Sequence, residues 1–260
     1  MSSTASSPAN RSGTQSIERA IAVLECLSAS EISLSLTEIS RHVGLSASTT
    51  HRLLRALTQA GYVDQDHSTE RYGLGIGVAV LGQRAIERSG YQLARPVLAG
   101  LSERTGESAS LGVRRGAEVV VLDRIAGPAP LRFDHPAGAE LAVHASAMGK
   151  VLLAFSSASI ADEVRALDVL QPFTTRTIVD REALATELAD VFARGYATNS
   201  EERYDGVSGI AAPVRSPTGH AHAAVGLQGP SLRLNPVALA GLAPLVQAAA
   251  DEVAAVLIPH

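Results

Sequence analysis

The sequence has one cysteine and no tryptophan among its 260 residues. A single cysteine cannot form an internal disulfide, and without a second thiolate it indicates no metal site. We interpret Cys26 as a buried apolar thiol on a helix, because free cysteines are commonly buried. The sequence therefore predicts a fold held together without disulfides and without a bound metal.

Long apolar runs are also lacking. No run reaches the roughly 18 uncharged apolar residues that a membrane helix needs. The Ser-rich opening, MSSTASSPANRSGTQ, lacks the apolar core of a signal peptide. We expect a cytoplasmic protein that does not associate with a membrane.

An excess of positive charge is the third absence, since 22 basic residues face 26 acidic ones and the net charge is −4. A strongly basic chain would indicate a nucleic-acid partner, so any DNA binding here must come from a local arrangement. The chain is 46% hydrophobic and 18% charged, with a mean hydropathy of +0.14, which is typical of a soluble globular protein. Its length favours two domains.

Start and stop signals define the first helices. Residues 1–13 have almost no apolar content and predict a disordered tail. Apolar residues then recur every three or four positions over residues 16–29, which predicts an amphipathic helix. Ser35 and Glu38 have the spacing of a capping box, which predicts the start of a short helix. Gly44 supplies the left-handed residue that ends this helix.

A third helix and a hairpin complete this region. Ser46 caps the helix, which we expect to run to about Ala60. The apolar ends of residues 62–74 bracket a polar stretch, which predicts a hairpin. Three helices followed by a hairpin predict a winged helix-turn-helix DNA-binding domain over residues 14–76.

The third helix carries its polar residues on one side and its leucines on the other, at about 100° per residue. The residues that we expect to contact DNA are its capped first turn, its polar face and one arginine of the wing: Ser46, Ser48, Thr49, Thr50, His51, Arg52, Arg55 and Arg71. Arg52 and Arg55 can each bind guanine or clamp a phosphate, and the sequence leaves both open. The opposing interpretation is a solvated face, because residues 14–76 contain five arginines, no lysine and seven acidic residues.

A linker helix over residues 77–90 leads to a second domain over residues 91–260. Its predicted helices cover residues 91–105, 147–155, 180–193 and 235–258. Its predicted strands cover residues 109–114, 118–125, 131–134, 210–215 and 221–228. This mixture predicts an α+β domain, with a mostly antiparallel sheet covered by helices.

The chain contains seven blocks of sequence in an order that is typical of one protein family. They are ERAIAVLECL, LSLTEISRHVGLSASTTHRLLRALTQAGYV, RYGLG, ARPVLAGLSERTGE, HASAMGK, RGYATNSEE and GIAAPV. From about residue 14 onward the chain resembles the IclR-type transcriptional regulators. The resemblance implies an N-terminal winged helix-turn-helix, a linker helix, and a C-terminal effector-binding domain of GAF-like α/β/α fold. It also implies homodimers or homotetramers that bind palindromic promoter sites in double-stranded DNA.

The resemblance further implies an effector pocket, carried over to Ala147, Met148, Asn199, Gly209, Gly226 and Gln228. Members that bind small keto acids have Asp, Cys and Ser at several of these positions, where this chain has Asn, Gly and Gln. Two glycines leave volume and two amides offer neutral contacts, so we expect an effector larger than glyoxylate or pyruvate, either aromatic or amide-bearing. Alternatively, these residues only pack the sheet. Ala47 replaces a lysine common in the family, which removes one expected phosphate contact.

Two rival functions are weaker. Asp134, His135, His144 and Ser146 invite a hydrolase interpretation, but no G-x-S-x-G elbow surrounds Ser146, and we expect His144 to be a hydrogen-bonded residue that holds its loop. The segment before Lys150 fails the phosphate-loop pattern twice, so no cofactor is predicted. We therefore predict a regulator, not an enzyme, whose promoter binding is modulated by a small-molecule metabolite. The alternative is a metabolite-sensing module that acts through protein partners without binding DNA.

Overall fold

The computed structural model describes residues 8–257, with side chains described for residues 14–257. The chain divides into two compact units between Arg88 and Ser89. Residues 1–7 of the predicted disordered tail lie outside the described residues. The first helix begins at Pro8, earlier than predicted. Proline is favoured at a first helical position because its missing N–H would have no partner there and its φ is already helical.

The first unit is built from helices and a small sheet. Its elements are α1 (Pro8–Ser28), β1 (Leu34–Ser35), α2 (Leu36–His42), α3 (Ala47–Gln59), β2 (Val63–Asp66), β3 (Arg71–Leu74) and α4 (Ile76–Ser89). Helices α1 to α3 and the sheet share one core, which includes Val23, Ile39 and Leu54. The predicted winged helix-turn-helix is confirmed.

Helix α2 begins where the capping box predicts. The Ser35 N–H donates to Glu38 Oε2 at 2.7 Å, and the Glu38 N–H donates to Ser35 Oγ at 3.3 Å. Two of the free amide groups at the helix start are thereby paired. Gly44, with φ +65°, provides the left-handed turn toward α3.

The second unit contains five helices and six strands. They are α5 (Arg95–Thr105), β4 (Ser108–Arg115), β5 (Glu118–Ile125), β6 (Glu140–Ala142), α6 (Ala147–Ala154), α7 (Ile160–Ala166), α8 (Arg181–Arg194), β7 (Ala197–Ser200), β8 (Val207–Arg215), β9 (Ala221–Pro230) and α9 (Pro236–Leu257). Short 3-10 turns precede α5 and α6.

The six strands form one sheet in the order β6-β5-β4-β9-β8-β7, and every neighbouring pair is antiparallel. Helices α6, α7 and α8 pack on one face, and α5 and α9 pack on the other. Successive residues of β8 alternate between the two cores, with Ala211 in the first and Ile210 and Ala212 in the second. The predicted α/β/α arrangement is confirmed.

The predicted strand over residues 131–134 is wrong, because this segment joins no sheet in the structure. Pro128, Pro130 and Pro136 surround it, and prolines lack the N–H that a ladder requires. Asp134 instead forms an ion pair with Arg124. Strand β6 takes the edge of the sheet beside β5.

Helix α9 is the one helix within residues 8–257 that is long and apolar enough to cross a membrane, with a mean hydropathy of 1.3 over its best window. Its buried residues recur at helical spacing and include Leu239, Val246 and Val253. They lie in the core on the second face of the sheet. A third of that window is buried, so packing on the sheet accounts for part of the apolar character of the helix.

Candidate functional site

Helix α3 presents a polar face to solvent. Leu54 and Leu57 are buried, whereas Ser48, His51 and Arg52 on the opposite side are exposed. Arg55 is exposed next to them. The structure therefore brings these four predicted DNA-contact residues onto one accessible surface, which we call the α3 face.

The first turn of α3 is closed by hydroxyl groups. Ser46 Oγ accepts from the Thr49 N–H at 3.3 Å and lies 2.9 Å from Thr49 Oγ1 and 3.2 Å from Ser48 Oγ. The remaining free N–H groups and the positive end of the helix dipole point out of this turn. Such a terminus favours a phosphate oxygen.

Thr50 does not belong to this surface. Its side chain is fully buried, and Oγ1 donates to the backbone oxygen of Ser46 at 3.1 Å. The prediction that Thr50 contacts DNA is therefore wrong. Thr50 faces the leucine side of α3, where its hydroxyl pairs with the preceding turn and its methyl group packs in the core.

Arg71 is occupied within its own domain. Its Nε donates to the Ser33 oxygen at 2.8 Å, and its Nη2 donates to Glu38 Oε2 at 2.9 Å. It also begins β3 and pairs with Asp66, the last residue of β2, and so lies beside the turn at the tip of the wing. Its guanidinium ties the start of β3 to the capping box of α2, and the expectation that Arg71 reaches DNA stays a prediction.

A polar cleft of about 380 Å³ lies between α3 and the wing. His51 and Arg55 line its helical side, and Gln65 and Tyr72 line its strand side. Gln65 was not predicted, because its place in the cleft depends on how the hairpin folds back against α3. The cleft extends the α3 face toward the wing.

A second site lies on the face of the large sheet that α6 covers. All six residues predicted for the effector pocket line one cavity of about 30 Å³: Ala147, Met148, Asn199, Gly209, Gly226 and Gln228. Strand register explains the convergence, since Asn199 pairs with Gly209, Gly209 pairs with Gln228, and Gly226 pairs with Ser110. Residues that line a cavity can still pack the sheet, so the alternative in which they only pack the sheet stays a prediction.

The two glycines leave no empty volume, contrary to the argument made from the sequence. A Cβ on Gly209 would lie 2.7 Å from the Leu227 oxygen. A Cβ on Gly226 would lie 3.1 Å from Met148 Cγ, and one on Gly112 would lie 3.0 Å from Met148 Sδ. Met148 thus occupies the space above Gly112 and Gly226, and the glycines are required for this close approach.

Asn199 is also committed within the protein. Its Nδ2 donates to the Ala145 oxygen at 3.2 Å, and its Oδ1 accepts from the Glu202 N–H at 2.8 Å. The amide therefore fixes the end of β7 against the start of α6. Gln228 is more peripheral, and its Nε2 donates to His135 Nε2 at 3.2 Å.

His135 and Arg203 line the cavity and were missed as effector residues. Burial lowers the pKa of His135 to about 4, and the charge of Arg203 adds to this while Asp134 opposes it. The imidazole is therefore neutral at physiological pH. Since Gln228 Nε2 can only donate, His135 Nε2 accepts and Nδ1 carries the proton.

Lys150, the only lysine of the chain, explains the end of the HASAMGK block. It is 1% exposed, and its Nζ lies 2.7 Å from Glu202 Oε1 and 3.4 Å from Glu187 Oε1. Glu202 Oε2 is buried without a hydrogen-bond partner among the described side chains. This buried ion pair holds the turn after β7, from which Arg203 projects toward the cavity.

The hydrolase constellation is not assembled. Ser146 caps α6, since its Oγ accepts from the Gly149 N–H at 3.1 Å and donates to the Ala142 oxygen at 3.0 Å. His144 Nε2 donates to the Gln171 oxygen at 3.0 Å, which confirms its predicted role in holding the loop. Within residues 14–257, no three His, Cys, Asp or Glu side chains are grouped to hold a metal ion.

Two family profiles match the chain. Residues 16–67 match the profile described as "IclR helix-turn-helix domain", and residues 85–255 match "Bacterial transcriptional regulator IclR C-terminal". Between them they span both sites described above.

Full-length relatives agree with the profiles. The chain is 34% identical to the HTH-type transcriptional regulator BhcR of Paracoccus denitrificans, over 95% of this chain and 89% of BhcR. It is 33% identical to the HTH-type transcriptional repressor AllR of Klebsiella pneumoniae, over 96% of this chain and 92% of AllR. A crystal structure from Microbacterium hydrocarbonoxydans, an IclR homologue complexed with 4-hydroxybenzoate, superposes with a TM-score of 0.78 at 25% identity, covering 93% of this chain and 98% of that one.

Proposed function

The chain belongs to the IclR family of bacterial transcriptional regulators, and from that premise we propose which of its residues contact DNA and effector. It is a DNA-binding transcription regulator with an effector-binding C-terminal domain, and not an enzyme. We propose that the α3 face enters the major groove of a promoter. Ser48, His51, Arg52 and Arg55 are its contact residues.

The observation that carries this proposal is the availability of two arginines on an accessible helix face. Arg52 and Arg55 are exposed, and neither forms an ion pair with an acid among the described side chains. Arg71, by contrast, is held by Glu38. Since the domain over residues 14–76 is acidic overall, few cations are available for phosphates or guanines, and each should contribute strongly.

The test measures promoter affinity of single variants. Arg52→Ala and Arg55→Ala should each weaken binding to the DNA beside the protein's own gene by about 10- to 100-fold, because a lost phosphate or base contact costs about 1–3 kcal/mol. Arg165→Ala is the matched control, since it removes the same charge from an exposed position in the second unit. Promoter binding that is unchanged in both α3 variants would favour a sensor that acts through protein partners.

We propose that the cavity beside α6 binds the effector, which is larger than pyruvate. A cavity of about 30 Å³ holds little more than a water molecule, so a larger ligand must displace a side chain. Met148 is the residue suited to move, because its unbranched thioether adopts several conformations and it lies over Gly112 and Gly226 on the sheet side. In the bound state the ligand would lie over Gly112 and Gly226, in the space that the Met148 side chain otherwise fills.

Calorimetry tests the effector size. A ring-containing acid such as 4-hydroxybenzoate should bind, and Met148→Ala should bind it more tightly because no side chain has to be displaced. Tight binding of pyruvate together with no binding of larger acids would contradict the proposal.

We further propose a cytoplasmic homodimer or homotetramer that binds a palindromic site. Helix α4 contains no buried residue, and Ile76, Val80 and Leu81 are 73%, 50% and 54% exposed. Apolar side chains at this density on one helix favour an interface. Two α3 faces would then bind half-sites separated by about 34 Å or a multiple of it.

A further inference from the structure

Arg203 has an unusual environment for an arginine. Its guanidinium carbon lies 3.6 Å from the centre of the Phe173 ring and 5.2 Å from that of Tyr204. Its Nε is buried and has no hydrogen-bond partner among the described residues. A buried donor without a partner is costly, so a position of this kind normally receives an acceptor.

The neighbouring acids are already occupied. Glu201 pairs with Arg176 at 3.5 Å, and Glu202 pairs with Lys150. Glu118 forms its ion pair with Arg115. The pKa of Glu118 is raised, mainly by its hydrogen bond with Glu140, and the charge of Arg203 opposes this least of all the causes. Within residues 14–257, Arg203 therefore has no carboxylate at ion-pair distance.

The lining of the cavity is rich in donors and contains no acid. Arg203 supplies one positive charge, and the neutral His135 carries its proton on Nδ1. Ser110, Asn199 and Gln228 are the further polar side chains that the strands supply to the lining. A neutral ligand would leave the guanidinium without a counter-ion, whereas an anion would supply that counter-ion.

We propose that the cavity binds a carboxylate and that Arg203 is its counter-ion and the residue that determines this specificity. The proposal rests on the effector function proposed above. Stacking on Phe173 fixes the plane of the guanidinium, which suits the two-pronged pairing of arginine with a planar carboxylate. One cation in a small cavity matches a single negative charge better than a phosphate dianion.

The test compares carboxylates with amides of the same shape. The arginine Nε–Hε resonance of Arg203 is identified in the full-length protein by its loss in Arg203→Gln. Benzoate and acetate are then titrated against benzamide and acetamide. At least one carboxylate should shift this resonance in a saturable manner, its amide should not, and Arg203→Gln should weaken carboxylate binding by about 10-fold or more.

Matched variants separate the charge from its neighbours. Arg176→Gln removes an arginine that is 62% exposed and that pairs with Glu201, two residues before Arg203. This variant should leave carboxylate binding unchanged. Arg203→Lys keeps the charge without the planar fork and should recover only part of the affinity. Equal binding of amide and carboxylate, unchanged binding by Arg203→Gln, or no response to either carboxylate would overturn the proposal.

Failure of this inference can be told apart from failure of the effector function. If a neutral metabolite binds the cavity and alters promoter affinity, the effector function stands and the role of Arg203 is wrong. If a carboxylate binds through Arg203 and promoter affinity does not change, the specificity stands and the regulatory coupling is wrong.

Discussion

Single residues of the cavity wall combine burial with polarity, and His135 does so most clearly. It is 7% exposed, lies beside the positive charge of Arg203, and accepts a hydrogen bond from Gln228. Burial disfavours its charged form, which lowers its pKa to about 4 in the folded protein. An ordinary histidine of the unfolded chain has a pKa of about 6.5.

This difference predicts how stability depends on pH. Between about pH 6.5 and pH 4 the unfolded chain binds a proton at His135 and the folded protein does not, so the free energy of unfolding falls as the pH falls through this window. The full loss is about 3 kcal/mol. His135→Gln should lose less stability than the wild type between neutral pH and about pH 4.5, as measured by urea unfolding.

A neighbouring histidine acts in the same direction. Burial is also the main cause that lowers the pKa of His144, so His144→Gln should remove a separate part of the acid sensitivity. His67→Gln, at an exposed position of the wing, is the control and should follow the wild type. Identical acid sensitivity in the wild type and His135→Gln would show that His135 is not held neutral.

Among the structural elements, those with chemical start and stop signals were predictable from the sequence. The capping box located α2, Gly44 marked its end, and Ser46 located α3. These signals depend only on local backbone geometry, so they can be read without knowledge of the fold. Apolar runs on the two sides of a turn likewise located most of β8 and β9.

Elements that depend on a distant partner were not predictable. Strand β1 has two residues and exists because it pairs with β3, and β7 has a polar sequence that pairs with β8. Residues 131–134 have the composition of a strand but no free position in the sheet. The same limit applied to the site, since Arg203 and His135 reach the cavity through tertiary contacts that leave no spacing pattern in the sequence.

The second site was predicted from the resemblance to a family and not from local start and stop signals. The sequence blocks shared with a family pointed to six cavity residues, and the structure brings all six together. The physical argument attached to two of them was wrong, because Met148 fills the space over Gly226. A resemblance can thus identify residues that share a cavity, while the chemistry of those residues depends on the packing around them.

At the scale of the whole molecule, the proposed function requires that two DNA-binding units act together. A single α3 face in an acidic domain has few cations, and pairing two of them roughly doubles the contacts with a palindromic site. An effector can regulate such a dimer only if it binds two arrangements of the protein with different affinity. The exposed apolar residues of α4 are therefore central to the proposed function.

Leu81→Glu tests the α4 interface. A charged side chain at a position buried between two protomers should dissociate the dimer, because the carboxylate would lose its hydration without gaining a partner. We expect analytical ultracentrifugation to show a smaller assembly and promoter affinity to fall by more than 10-fold, an order of magnitude expected when one half-site is lost. Effector binding in the second unit should persist, which excludes general unfolding as the cause.

Leu232→Glu provides the matched control, since it makes the same substitution at a leucine of the second unit that is 87% exposed. This variant should keep the assembly and the promoter affinity of the wild type. If Leu81→Glu also keeps both, α4 is not the interface, and the two DNA-binding units must be joined through the second unit alone.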